Sequence, residues 1–275
     1  SKLRRAKTID KPNNLEAWWI AFSNCLMVGN WRTGMKCIWH PKGYTPTHQD
    51  NESLRLARLA YKVESDTQKF EAIKVCNNLW SKTASAHEHP YLAKKNIKPF
   101  VARLDRFNNL VVPIISSDGD LMSLQFISPT GEKRFKSGGS LKGHAAMIGS
   151  LKNASTLLVC EGYATGCSLH EATSLPVVVA FNAGNLEAVC TSLKRNHPML
   201  KIILCADNDH RAEQNGKTNV GLDKSNAIAR LLNLQMIWPN FSDDDLGSDF
   251  NDVHCQLGID GLRMMLSSVF DGGNL

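Results

Sequence analysis

The sequence predicts an α/β protein: a mainly parallel sheet flanked by helices, preceded by a small antiparallel, β-rich, basic subdomain and a mostly helical N-terminal region. Three observations carry this reading. From Thr156 onward, apolar runs of strand length alternate with stretches of helix length, the rhythm of a parallel sheet covered on both faces. Between Phe100 and Gly149 the apolar runs are short and turn sequences separate them. Between Asn51 and about Ser85, apolar residues recur at near-helical spacing.

Taken in order, residues 1–49 set Trp18, Trp19, Trp31 and Trp39 among Gly, Pro and Asn, and the expectation there is a small, loop-rich region. Leu56, Leu59, Val63, Phe70 and Ile73 follow with charges between them, which one or two helices explain. In HPYLAKKNIKP, Pro90 and Pro99 bracket one helical turn leading into a connector. LVVPII, LMSLQFI and KRFK, separated by SDGD and SPTGE, read as antiparallel strands with tight turns. STLLVCEG is a buried strand ending on a glycine, ATGCSLHEAT a helix, and LPVVVAFNAG a second strand. NLEAVCTSLKRNHP, KIILCADND, GLDKSNAIARLLN and QMIWP continue as helix, strand, helix and strand. The expected division is 1–99, a basic, mostly helical region; 100–153, the antiparallel basic strands; and 154–275, the parallel-sheet domain.

The net charge of +6 conceals an asymmetry. Residues 1–100 carry 17 Lys and Arg against 8 Asp and Glu, whereas residues 151–275 carry 9 against 14. A basic first part can hold a polyanion through its phosphates, while an acidic second part repels phosphate unless cations lie between. Nucleic acid with a divalent metal satisfies both. No run approaches the ~20 apolar residues of a membrane span, and no apolar run follows the charges of SKLRRAKTID. The eight cysteines are scattered without C-x-x-C pairs, the pattern of reduced, mostly buried thiols in a cytoplasmic protein.

The acids that could hold a metal fall beyond the carboxyl ends of strands, where open parallel sheets gather their ligands. Glu161 directly follows LLVC, and Asp207 and Asp209 follow IILCA. Residues two apart in extended backbone face the same way, so the two aspartates can address one ion while Asn208 points elsewhere. Hard carboxylate oxygens suit Mg²⁺ or Mn²⁺.

LLVCEG followed by ILCADND resembles the Toprim domain shared by bacterial-type primases, type IA and II topoisomerases and some nucleases. The resemblance covers about residues 155–255 and implies a glutamate in acid/base chemistry and aspartates that hold metal. SDFNDV is similar to a third acidic element of primase-type Toprim domains, which would add Asp249 and Asp252 to the metal site, with Asn251 a possible oxygen ligand. Asp249 is equally readable as a helix cap. Some primases carry an aspartate four residues after the glutamate, where this chain has Thr165. Upstream, HPYLAKKNI and the strand segment through AAMIG look similar to what precedes Toprim in plasmid-conjugation and phage primases, extending the resemblance over about residues 88–255.

The resemblance implies a DNA-dependent RNA primase that joins ribonucleoside triphosphates on a single-stranded DNA template, and it leaves room for a replicative helicase as a partner. Lys133, Arg134, Lys136 and Lys142 are the cations expected to converge beside the acids and hold template or triphosphate. Asn182 and Asn185, at the end of the second strand, bind nucleotide or shape a turn, and Lys217 and Lys224 offer phosphate contacts. Cys25, Cys37, His40 and His48 lack the close ligand pairs of a zinc module. The tryptophans near GNWRTGMKCIWHPKG either stack exposed bases or pack a small core. The rival functions are a Toprim nuclease and a non-catalytic single-strand-binding accessory protein. A topoisomerase would need a separate domain for its tyrosine.

Overall fold

The computed structural model describes residues 3–271 apart from 10–11, 13–14, 23–24, 31–34, 212–217 and 243–244. Of the residues singled out above, Trp31 and Lys217 lie outside the described set. The chain divides into two compact units, Ser1–Gln68 and Lys69–Leu275.

The first unit departs from the loop-rich expectation. Strands β1 (Arg4–Ala6), β2 (Ala17–Ala21), β3 (Leu26–Asn30) and β4 (Lys36–Trp39) form an antiparallel meander in that order. The alternation is present but short, and the adjacent Trp18 and Trp19 send one aromatic to each face, which hides the period. Packing sets the pairing: a β-carbon on Gly29 would lie 2.4 Å from the Trp18 ring, so only glycine lets that indole cross the neighbouring strand. Helix α1 (His48–Ser81) follows as one helix of 34 residues. Its start is reciprocally capped: Thr47 Oγ1 accepts from the Asp50 amide at 3.2 Å, and Asp50 Oδ2 accepts from the Thr47 amide at 2.9 Å.

In the second unit, β5 (Ala84–Ser85), β6 (Arg103–Leu104), β7 (Leu110–Ile115), β8 (Leu121–Ile127) and β9 (Lys133–Phe135) build an antiparallel sheet in chain order. Period-2 alternation gives the sheet two dry faces. Val111 and Leu124 pack with Cys76 and Trp80 of α1, whereas Leu110, Val112 and Ile127 join the main core together with Tyr91 and Leu92 of α2 (Pro90–Lys95).

The other sheet runs β10 (Ala146–Ile148), β12 (Val177–Val179), β11 (Thr156–Cys160), β13 (Lys201–Cys205), β14 (Gln235–Ile237). All its pairs are parallel except that of β10 with β12. The expected segment boundaries are crossed in two places: β5 joins the antiparallel sheet from before residue 100, and β10 leaves it to edge the parallel one. An apolar edge explains the second, because β10 reads Ala-Met-Ile and is buried at its ends.

Helices α3 (Tyr163–Thr173) and α6 (Phe250–Asp271) lie on the face of Leu158, Cys160 and Ile203. Helices α4 (Ala183–Asn196) and α5 (Val220–Leu232) lie on the face of Leu157, Val159 and Leu204. No helix among the described residues is long and apolar enough to cross a membrane. Five of the eight cysteines are buried and all are free thiols.

Close approach of α3 to this sheet requires Gly166. A β-carbon there would sit 2.6 Å from Val179 Cγ2 and 3.3 Å from both Cys160 Sγ and Ile148 Cδ1. Gly166→Ala is therefore expected to destabilise the protein by about 1–3 kcal/mol through overpacking; urea unfolding would show a lowered midpoint, and an unchanged one would contradict this packing.

Candidate functional site

Parallel pairing of β11 with β13, in register from Thr156↔Lys201 to Val159↔Leu204, brings Glu161 and Asp207 to the same end of the sheet. The start of α6 adds Asp249 and Asp252. Asp249 Oδ1 accepts from the Asp252 amide at 2.9 Å, so this residue does cap α6, while its Oδ2 accepts from Thr165 Oγ1 at 3.1 Å. Thr165 thus occupies the site as a hydroxyl donor that holds an aspartate. Asp252 Oδ2 accepts from the Ser248 amide at 2.9 Å, and its Oδ1 faces Lys95 Nζ at 3.3 Å.

Asp207 is the crux of the cluster. It is largely buried, its Oδ1 has no hydrogen-bond partner among the described residues, and its pKa is pushed up to about 8. Desolvation is the largest cause, followed by repulsion from Asp249 and Glu161; Lys133 opposes the rise, and Asp252 adds to it. Burial also raises Glu161, against the Ala183 amide at the start of α4 and the Lys224 ammonium, which both favour its charged form. Asp209 is exposed and is not among the charges acting on Asp207. Of the D-x-D pair, one aspartate therefore lies within the cluster and the other at its solvent side.

The loop bearing these aspartates is held by asparagines. The Asn208 amide donates to Ser248 O at 2.7 Å and its Nδ2 to Pro239 O at 2.8 Å, tying the loop to both ends of the segment that leads into α6. Buried Asn219 caps α5: its Oδ1 accepts from the Leu222 and Asp209 amides, each at 3.3 Å, and its Nδ2 donates to Asn208 Oδ1 at 2.9 Å.

The expected cations separate by strand alternation. In the β8–β9 register, Lys133 opposes Ile127 on the main-core face, while Arg134 opposes Phe126 on the α1 face. Lys133 is exposed as a residue, yet desolvation and the neighbouring Lys95 hold its pKa down, while Asp249 and Asp207 oppose this; its ammonium lies 5.8 Å over the Tyr91 ring. Phe135, on the same face, meets Phe181 edge-on at 5.9 Å, docking β9 against the rim of the parallel sheet. Lys136 instead acts on Cys76, beneath α1. Lys142 is exposed, and Lys224 reaches Glu161. The convergence of four cations is thus corrected to one of those four, Lys133, joined by Lys224.

Asn185 is a structural pin: its Oδ1 accepts from the Gly143 amide at 2.7 Å, and its Nδ2 donates to His144 O and Ala180 O, each at 2.9 Å. Asn182 precedes α4 as its cap residue but makes no side-chain capping bond. Asn251 is buried, its Nδ2 donating to Lys95 O at 2.7 Å and Ser168 Oγ at 3.0 Å, while its Oδ1 lies 3.9 Å from Cys255 Sγ. The residues missed in the sequence are Lys95, at the end of a helix read as one turn leading into a connector, and Asn219, whose position ahead of VGLDK is a capping signal.

Oxygen donors and an orphaned, buried Asp207 Oδ1 fit a hard divalent cation. Among the described residues no three ligating side chains already stand close enough to grip an ion. Mg²⁺ tolerates this, since it commonly takes one or two carboxylates and completes its shell with water and phosphate oxygens.

Residues 156–260 match the family model of the Toprim domain. Over 225 residues, 78% of its length, it is 27% identical to one DNA primase TraC of Escherichia coli and 30% identical to a second. The chain spans only 21% and 15% of the length of those two relatives. In structure it is similar to the primase fragment of the bacteriophage T7 primase-helicase protein, at 13% identity and a TM-score of 0.46, over 67% of this chain and 80% of that one.

The raised pKa of Asp207 has a sign that can be checked. The folded protein retains a proton that the unfolded chain gives up near pH 4, so this group's contribution to stability is fully present below about pH 4 and lost as pH rises through about 8. In chelator-containing buffer, the melting temperature of the wild type is expected to fall between about pH 5 and about pH 9 relative to Asp207→Asn. Parallel curves would contradict the crowding.

Proposed function

We propose that this Toprim domain is the catalytic centre of a DNA-dependent RNA primase of the plasmid or phage type. What carries the reading is a half-buried acidic cluster from β11, β13 and α6 that meets a lysine delivered by the antiparallel sheet. The sequence similarity to DNA primase TraC supports it, because that similarity spans 78% of the chain, well beyond the Toprim segment alone.

The reaction is attack of a primer or nucleotide 3′-hydroxyl on the α-phosphate of a ribonucleoside triphosphate. The 3′-O–P bond forms, the bond from the α-phosphorus to the bridging oxygen breaks, and pyrophosphate leaves. Asp207 and Asp249, with Glu161, Asp209 and Asp252 around them, would hold Mg²⁺ or Mn²⁺, which supplies Lewis acidity toward the hydroxyl and charge neutralisation for the phosphates. Glu161, raised by burial, is suited to take the proton of the attacking hydroxyl. Lys133 and Lys224 bind the triphosphate, each already beside a carboxylate of the cluster. Arg134, Lys136 and Lys142, with Asn182 at the sheet rim, are left for the single-stranded DNA template, and Lys217 belongs to the same basic set. Positioning of this kind accounts for much of phosphoryl-transfer catalysis.

Within this reading, residues 154–275 are the catalytic domain, 100–153 the basic strand subdomain and 1–99 a basic N-terminal region. The protein works in the cytoplasm, with a replicative helicase as a partner.

Incubation with labelled ribonucleotides, a single-stranded template and Mg²⁺ or Mn²⁺ is expected to yield labelled oligoribonucleotides. Glu161→Gln and Asp207→Asn should each reduce the yield by about 100-fold or more. Template shortening without synthesis would instead identify a nuclease. Synthesis undiminished by both substitutions would remove the acids from the mechanism.

A further inference from the structure

Helix α2 is too short to stand alone, and the sequence around it fixes both its ends. His89 caps its start, the side chain accepting from the Tyr91 amide at 3.2 Å, and Pro90 takes the first helical position. Asn96 closes it in the left-handed region, at φ 51°, its amide donating to Ala93 O and Leu92 O. Lys95 is therefore the last helical residue. Two side chains of α6 then hold its backbone: Lys95 O accepts from Asn251 Nδ2 at 2.7 Å and from Cys255 Sγ at 3.4 Å. Asn251 is itself fixed on Ser168 Oγ, which lies 3.0 Å from His254 Nδ1. The backbone of Lys95 is thus pinned to the first turns of α6 whatever its side chain does.

The side chain completes the contact. Lys95 Nζ lies 3.3 Å from Asp252 Oδ1, and 27% of each side chain is exposed. The same ammonium is the first-named charge that depresses the pKa of Lys133, so it belongs to the acidic corner. The oxygens of that corner are then largely committed. Asp252 Oδ2 accepts from the Ser248 amide at 2.9 Å and from its hydroxyl at 3.3 Å. Asp249 accepts on both oxygens, from the Asp252 amide and from Thr165, and Glu161 accepts from the Ala183 amide. Asp207 Oδ1 is left, buried and without a donor among the described residues. Asp252 is also the weakest of the charges named as acting on Asp207, as befits a carboxylate already balanced by an ammonium.

We propose that Lys95 is a resident cation: its ammonium takes, at Asp252, the place of a second divalent ion, so that the corner binds one metal ion, on the Asp207 side. A divalent ion brought against Asp252 would meet the ammonium at a similar distance. Repulsion from the one charge would then match attraction to the other, leaving no net gain. Moving the lysine aside is unfavourable too, because it strands a carboxylate and an ammonium that are both largely buried. The inference rests on the metal-binding reading of this corner and narrows it: Asp252 serves as the partner of Lys95 and not as a ligand.

The test counts ions instead of turnover. The full chain, freed of metal with chelator and dialysed, is titrated with Mn²⁺, and the unbound ion is read by electron paramagnetic resonance. One ion per chain is expected, with Asp207→Asn weakening it by about 10-fold or more. Lys95→Met keeps the apolar stem without the charge and should bind two ions, whereas Lys95→Arg should still bind one. Lys95→Met combined with Asp252→Asn removes the pair at constant net charge and should bind one ion with wild-type affinity. That double variant and Lys95→Arg leave no unpaired charge, so they decide the matter even where Lys95→Met fails to fold. Two ions on the wild type, or one on folded Lys95→Met, would overturn the proposal. So would weakened binding by the double variant, which would make Asp252 a ligand. One bound ion without primer synthesis would count against the catalytic reading alone, and synthesis with two ions bound against this inference alone.

Discussion

Crowding of carboxylates in a poorly solvated corner is the constraint on which the second unit depends. Glu161, Asp207, Asp249 and Asp252 arrive from three separate elements, and burial denies Asp207 the water that would make its charge inexpensive. Left alone, such a corner would push its elements apart. The surroundings counter this with fixed donors: Thr165 and the Asp252 amide on Asp249, the Ser248 amide on Asp252, and the Ala183 amide on Glu161. Lys95, Lys133 and Lys224 add positive charge from three directions. The site is thus held at a cost that an incoming cation relieves, which is the physical sense in which it is prepared for one.

The antiparallel sheet acquires its role from the same corner. Its β9 edge is tethered by Phe135 against Phe181, and Tyr91, beneath the turn at Gly131, provides a buried ring under the Lys133 ammonium. Strand alternation then decides which of the neighbouring cations face the acids. A segment that looks uniformly basic in sequence is divided by its pleat into one residue for the acidic corner and others for a different surface.

Much of the parallel-sheet domain was legible because its signals are local. LLVCEG and ILCADND each contain a buried strand and the acid that follows it, and parallel pairing of neighbouring strands does the rest. SDFNDV was legible as an acidic element, although whether Asp249 capped a helix or faced the cluster needed coordinates, and it does both. The N-terminal sheet was missed because its strands are three to five residues long and rich in tryptophan, so their pairing rests on tertiary packing, such as Trp18 over Gly29, that no periodicity encodes. Lys95 was missed for a related reason. Its partner Asp252 is 157 residues away, and nothing in HPYLAKKNIKP distinguishes Lys95 from Lys94 until the fold brings α6 to it.

Where the charges lie also divides the chain into parts of opposite electrostatic character. A corner that gathers four carboxylates repels a polyanion at every phosphate not covered by a cation, and its nearby lysines are already engaged with those carboxylates. The N-terminal sheet has the opposite character, with cations and aromatics in abundance and almost no acid. The two signs are thus kept on separate elements, and that segregation, more than the total of +6, is the electrostatic property that matters here.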